Sequence, residues 1–436
     1  MTLPPGTELT TLPNGVRVVT HVMPHLETIA LGVWIATGAR HETAAEHGIS
    51  HLLEHMAFKG TSKRTARAIA EEIEQVGGDL NAATSLEMTA YYARVLKGDE
   101  GLALEILADI LRQSLFTPED LVREKEVIIQ EIAGIKDSPE ELAYDLVQEA
   151  AYPDQPVGRP IIGTPASVAA ISADDLRGFL AGHYRGPHVV ISAAGAVNHA
   201  RLAGHAAALF GSLDGDVQRA ETVAAYQGGV RHSVKSFEQS HLLTAFHGPS
   251  YRDAAFYPAQ VLSGVLGGGM SSRLFQEARE NRGLCYSIYS TAWGLADTGI
   301  FAIHAATGAD MMAELIDVVG IELERTAAHV ASDREVARAK AQLKAGLLMG
   351  LESCSARAEQ MARQLLIAGR LIMLDEIIAR VDDVTPEKIR SLAEQMLMAH
   401  APSVAVVGAG RRSRRLAETA ARIGHGKVKP PAVAVG

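Results

Sequence analysis

The 436-residue chain carries one order of patterns twice, and a duplicated sequence folds into two similar units. In the first half the strand-like apolar run TIALGVWIA, Thr28 to Ala36, leads to a helical stretch and then to GGDLNAATSLEMTAYYARVLKGDEGLALEILADIL. In the second half HLLTAFHGP, from His241, leads to a helical stretch and then to RGLCYSIYSTAWGLADTGIFAIHAATGADMMAELIDVV. Both halves continue in long helical patterns and close alike, with AISADDLRGFLAGHYRGPHVVISAAGAV matching DVTPEKIRSLAEQMLMAHAPSVAVVGAG. The seam falls near Asp214 to Gly229, a stretch with little apolar periodicity. The expected fold is α+β, as two tandem homologous domains over residues 1–220 and 221–436. Each is a mostly antiparallel sheet with helices packed against it.

Composition narrows the functional classes. Hydrophobic residues make up 47% and charged residues 21%, the balance of a soluble globular chain. A formal net charge of −10 argues against nucleic acid, which needs a basic footprint. The acidic balance reads as a solvated surface, with attraction for basic or extended peptides as the alternative. Two cysteines, Cys285 and Cys354, are too few for a disulfide framework and point to reduced thiols in the cytoplasm. The opening MTLPPGTELTTLPNGVRVV lacks the pattern of a secretory signal, and no apolar run reaches the length of a membrane span. Residues 411–436 read as a helix end followed by a loose tail.

The segment GISHLLEHMAF, Gly48 to Phe58, reads as an amphipathic helix. At helical spacing Ile49, Leu52, Leu53 and Met56 form one apolar stripe, and His51, Glu54 and His55 fall on the opposite face. Gly60 then offers a stop. Histidines at i and i+4 stand one turn apart, so both rings can reach one tetrahedral cation, at about 2.0–2.1 Å for zinc. Glu54 sits where it can take a proton from water, whose pKa a zinc ion lowers to about 7. The order H-x-x-E-H inverts the usual zinc-protease helix. A merely wet polar face stays open unless a third ligand exists, because catalytic zinc normally has three protein ligands.

A second helix supplies candidates. Thr117 as N-cap, Pro118 at the first position and an acid at the third open a helix through LVREKEVIIQEIAGI. Glu124 and Glu131 lie two turns apart on a face shared with Val127 and Ile128, whereas Glu119 and Glu126 point elsewhere. An ionised carboxylate is costly to bury unpaired. Periodicity leaves partial exposure and a shared cation equally open.

HLLEHMAFKGT, GGDLNAATSLEMTAYYARV, EKEVIIQEI and GGGMSSRLFQEARENRGLCYSIYS together resemble the pitrilysin/insulinase-type metallopeptidases. The branch containing the mitochondrial processing peptidase beta subunit is the nearest in pattern. The resemblance spans essentially the whole chain, duplication included. It implies one zinc ion per chain on His51, His55 and Glu131, with Glu54 as general base and Glu124 orienting a ligand histidine. It implies that Asn81, Ala82, Ala83 and Thr84 form an edge strand that an extended peptide substrate completes through main-chain hydrogen bonds. Without it, an ordinary internal strand is the default.

In the second half the resemblance assigns Arg279 and Tyr286 to substrate. A guanidinium suits a carbonyl or carboxylate and a phenol suits an oxyanion. Arg282 is the weaker candidate. The run Gly264 to Met270 lacks the G-K-[ST] ending of a phosphate loop and reads as close packing or a mobile lip. PAQVLSGVLGG stands where a second H-x-x-E-H would fall. The implied activity is a zinc-dependent endopeptidase working inside a dimeric chamber, as a homodimer or as a heterodimer with a related subunit. The rival reading is a non-catalytic core subunit of a larger complex.

Overall fold

The structure, a computed structural model, describes residues 3–216, 222–398 and 400–424. Part of the expected seam, 217–221, and the end of the expected tail, 425–436, lie outside the described residues. The chain divides into two compact units. The first takes residues up to 133, 159–222 and 347–374; the second takes 134–158, 223–346 and the chain from 375 onward.

The first unit is built on six strands: β1 (Thr7–Thr11), β2 (Arg17–Val22), β3 (Thr28–Ile35), β4 (Asp79–Thr84), β5 (Thr89–Leu96) and β6 (Val189–Gly195). Their order is β1-β2-β6-β3-β5-β4, antiparallel except for the parallel pair β2–β6. Against one face pack α1 (Ile49–Ala57), α2 (Ala66–Gln75), α3 (Glu100–Arg112) and the first part of α4 (Pro118–Asp137). The apolar stripe of α1 behaves as its wheel predicts: Ile49, Leu52, Leu53 and Met56 are all buried.

The second sheet repeats this plan with β7 (Gly229–Gly248), β8 (Ser287–Gly294), β9 (Gly299–Thr307) and β10 (Ser403–Ala409), in the order β10-β7-β9-β8. The long β7 serves as two strands. β10 runs parallel to it along Gly229–His232 and antiparallel along Leu242–Ala245. Those two arms flank β10 as β2 and β3 flank β6, and β9 and β8 follow as β5 and β4 do. The duplication read from sequence is thus a duplication of sheet topology.

The units are not contiguous halves, however. TIALGVWI is buried along nearly its whole length, so β3 is covered on both faces. On the face away from α1, Val19, Trp34, Val190 and Ala194 pack against Ala358, Met361, Ala362 and Leu365. The helix Cys354–Arg363 comes from the second half of the sequence. Reciprocally α5 (Pro139–Ala151), from the first half, packs on β7 and β10. Each of the expected halves, 1–220 and 221–436, therefore sends one helical segment to the other unit. An apolar sheet face must be covered, and the nearest helix in sequence need not be the one that covers it.

Gly267, at the end of the helix Phe256–Gly267, packs against β8: a Cβ there would lie 2.3 Å from Ser290 N. Close packing is what that glycine serves. Among the described residues no helix is long and apolar enough to cross a membrane.

Candidate metal centre

The start of α1 is held by a residue the sequence reading did not single out. Glu42 is buried, and its two carboxylate oxygens accept from Gly48 N at 2.8 Å and Ser50 N at 2.9 Å. A helix start leaves such amides without intrahelical partners. Gly48 has φ 92°, a left-handed conformation that favours glycine, and a Cβ there would meet Ile162 O at 2.9 Å. Burial pushes the Glu42 carboxyl up to about 7, against the opposing pull of its two amide donors. The spacing matches no capping box, so the sequence held no local signal for it.

From that anchored start, α1 presents His51, Glu54 and His55 on its polar face. The Nε2 atoms of His51 and His55 lie 3.9 and 3.7 Å from Glu131 Oε2, and one ligand atom from each of the three residues fits within a 4.8 Å set. Ligands at 2.0–2.1 Å around a tetrahedral ion stand about 3.4 Å apart, close to the two histidine–Glu131 separations. Burial, with the neighbouring His55, draws the His51 imidazole down to about 4, leaving it neutral with a lone pair free. Its Nδ1 is buried without a partner, and Nε2 is the nitrogen turned towards Glu131. Two imidazoles and a carboxylate also suit zinc chemically. The residues present fit the ion.

The two carboxylates of α4 have different surroundings. The Glu124 side chain is 5% exposed; its Oε2 lies 3.2 Å from His55 Nδ1 and its Oε1 2.8 Å from Lys59 Nζ. Glu131 is 42% exposed and faces the Nε2 atoms. The ambiguity left by periodicity resolves into one buried, paired carboxylate and one open, ligand-competent one. Lys59 is the partner that sequence reasoning missed. α4 itself begins as expected, with Asp120 N donating to Thr117 Oγ1 at 3.3 Å.

Asn81, Ala82, Ala83 and Thr84 all lie on β4, the sheet-edge strand next to β5. Thr84 Oγ1 donates to Glu54 Oε2 at 2.6 Å. A model described as Insulinase (Peptidase family M16) matches residues 17–165, and one described as Peptidase M16 inactive domain matches residues 170–343. An uncharacterized zinc protease of Streptomyces coelicolor is 38% identical, over 92% of this chain and 89% of that protein.

The chain belongs to the M16 peptidase family. The uncharacterized zinc protease YmxG of Bacillus subtilis is also 38% identical, over 88% of this chain and 94% of its own length. A solved structure from Pseudomonas fluorescens, described as a peptidase M16 inactive domain, superposes with a TM-score of 0.85 at 22% identity, covering 92% and 97% of the two chains. That likeness supports the fold of two tandem homologous α+β domains. The relatives' names and the His/Glu donor set agree on zinc as the cofactor of this M16 protein.

In the second unit Arg279 and Tyr286 are neighbours. Arg279 lies in the last turn of a π-helical stretch, Phe275–Asn281, and its guanidinium lies 4.7 Å from the Phe275 ring centroid and 5.6 Å from that of Tyr286. Tyr286 is 74% exposed, unusual for so large a ring. Arg282 is instead engaged by Glu277, its Nε donating to Oε1 at 2.9 Å.

Proposed function

We propose that this M16 zinc protease is an endopeptidase for extended peptides or unfolded segments, with zinc on His51, His55 and Glu131 and Glu54 as general base. The observation that carries the reading is the Thr84–Glu54 hydrogen bond, which joins the edge strand to the carboxylate that would handle the proton. A peptide added to β4 would bring its scissile carbonyl to that end of the sheet.

Zinc, when bound, supplies a Lewis acid that polarises the carbonyl and acidifies water. Glu54 takes the proton of the attacking water and returns it to the leaving amine. Glu124 holds His55 by its Nδ1, which turns Nε2 outward. Arg279 and Tyr286 serve the substrate carbonyl or carboxylate and the developing oxyanion. Since the metal residues and this pair are both present in one chain, a homodimer enclosing a chamber is favoured over a heterodimer. The two unpaired cysteines favour the cytoplasm.

The test is Glu54→Gln in the full chain. Zinc content should be unchanged while cleavage of a quenched fluorescent peptide falls by at least about a hundredfold. Glu131→Gln should lower zinc content as well. Cleavage retained in Glu54→Gln would overturn the assignment and favour a structural role.

A further inference from the structure

The second sheet has a polar cluster of its own on the face that α5 covers. His241 lies on β7, and His304 on β9 stands opposite Leu243 of β7 and Tyr289 of β8. His241 Nδ1 and His304 Nε2 are 2.9 Å apart. Glu140, in the first turn of α5, brings a carboxylate oxygen to the pair, and the three ligand atoms lie within 4.8 Å of one another. Tyr289 donates its hydroxyl to Glu140 Oε1 at 2.7 Å, and the Tyr144 hydroxyl lies 3.0 Å from that of Tyr289. The Tyr144 ring stacks on His304, with centroids 6.1 Å apart and planes 16° from parallel.

We propose that Glu140, His241 and His304 bind a second divalent transition-metal ion, which clamps α5 onto the second sheet. Several observations support a cation over a plain hydrogen-bonded pair. Both rings are buried, with His241 Nδ1 and His304 Nε2 turned to one another and a Glu140 carboxylate oxygen beside them. A hydrogen bond between the two rings engages one nitrogen of each and makes no use of the carboxylate oxygen that lies beside them. The carboxylate is already oriented by a phenol, and metal-ligating carboxylates are characteristically held by such outer hydrogen bonds.

The geometry asks for little. Ligands of a tetrahedral ion stand about 3.4 Å apart, so the nitrogens open slightly and Glu140, an exposed side chain, swings in. Two imidazoles and one carboxylate select zinc, cobalt, nickel or copper over magnesium and calcium. The ligands come from a helix of the first half of the sequence and from strands of the second. A metal here therefore fastens the exchanged segment rather than serving the site on α1. It does not depend on the catalytic reading.

The test uses the full chain, stripped with chelator and reloaded with Zn2+ alone. Wild type should hold two ions after gel filtration, and His51→Ala/His55→Ala should hold one. That remaining ion should raise the unfolding temperature of the double variant, and Mg2+ should not. Glu140→Gln, at an exposed helix start where folding is preserved, should weaken it by about tenfold or more. Adding His241→Gln should remove it. A double variant that takes up no zinc, or one whose zinc is indifferent to Glu140→Gln and His241→Gln, overturns the proposal. Loss of the ion at α1 alone would instead report on the catalytic reading.

Discussion

Thr84 donates its hydroxyl to Glu54 across 2.6 Å, so one residue belongs both to the edge strand and to the surroundings of the general-base candidate. A hydrogen bond to a charged group contributes about 1.5–3 kcal/mol. Thr84→Val should therefore lower kcat for a quenched peptide by roughly ten- to a hundredfold, with a smaller change in KM. Thr84→Ser should restore most of the loss. An unchanged kcat in the valine variant would mean that the hydroxyl does not orient Glu54 during turnover.

Glu124 is the buried link between Lys59 and His55. Replacing it by Gln removes the charge facing His55 Nδ1 and leaves Lys59 without its partner. Zinc affinity should fall by about 10–100-fold, as is usual when an outer partner of a metal ligand is lost. Competition with a chromophoric chelator measures it. Affinity equal to wild type would count against the orienting role.

Glu42 joins helix stability to the metal centre, because its oxygens occupy the amides at the start of α1. Glu42→Ala should destabilise the chain by about 0.5–2 kcal/mol, the range for losing a helix cap. Denaturant unfolding at neutral pH reads this directly. Glu42→Gln, which keeps one acceptor oxygen, should fall between the two.

Asp145 on α5 gives a pH signature. Burial, with repulsion from Glu141 and Glu149, pushes its carboxyl from 3.8 up to about 6. A raised carboxyl pKa means that the folded state holds the proton more tightly than the unfolded chain. Its effect is therefore most favourable below the unfolded value and is lost as pH rises through about 6. Asp145→Asn should raise the unfolding temperature at pH above about 7, with the gain shrinking towards pH about 4. Calorimetric scans across that range provide the check, and a gain independent of pH would rule out this cause.

Much of the site was legible because it obeys helical spacing. His51, Glu54 and His55 lie on one face of α1 because a turn takes 3.6 residues, and Ile49, Leu52, Leu53 and Met56 bury the opposite face for the same reason. The start of α4 at Thr117 was readable for a similarly local reason, since a side chain caps a backbone amide three residues on. Glu42 and Lys59 were not readable. Each meets its partner across a loop or between helices, at a distance along the chain that no periodicity encodes.

The same division holds for the whole fold. By itself the residue order determined the duplication, the strand–helix alternation within each copy and the pattern H-x-x-E-H, all features of short-range spacing repeated along the chain. Only the tertiary structure decided that α5 covers the second sheet and Cys354–Arg363 the first, because burial is satisfied by any apolar helix that reaches the exposed face. It also decided that Glu124 is paired and Glu131 open, and that His241 meets His304, since strand register and helix docking bring together residues with no sequential relation.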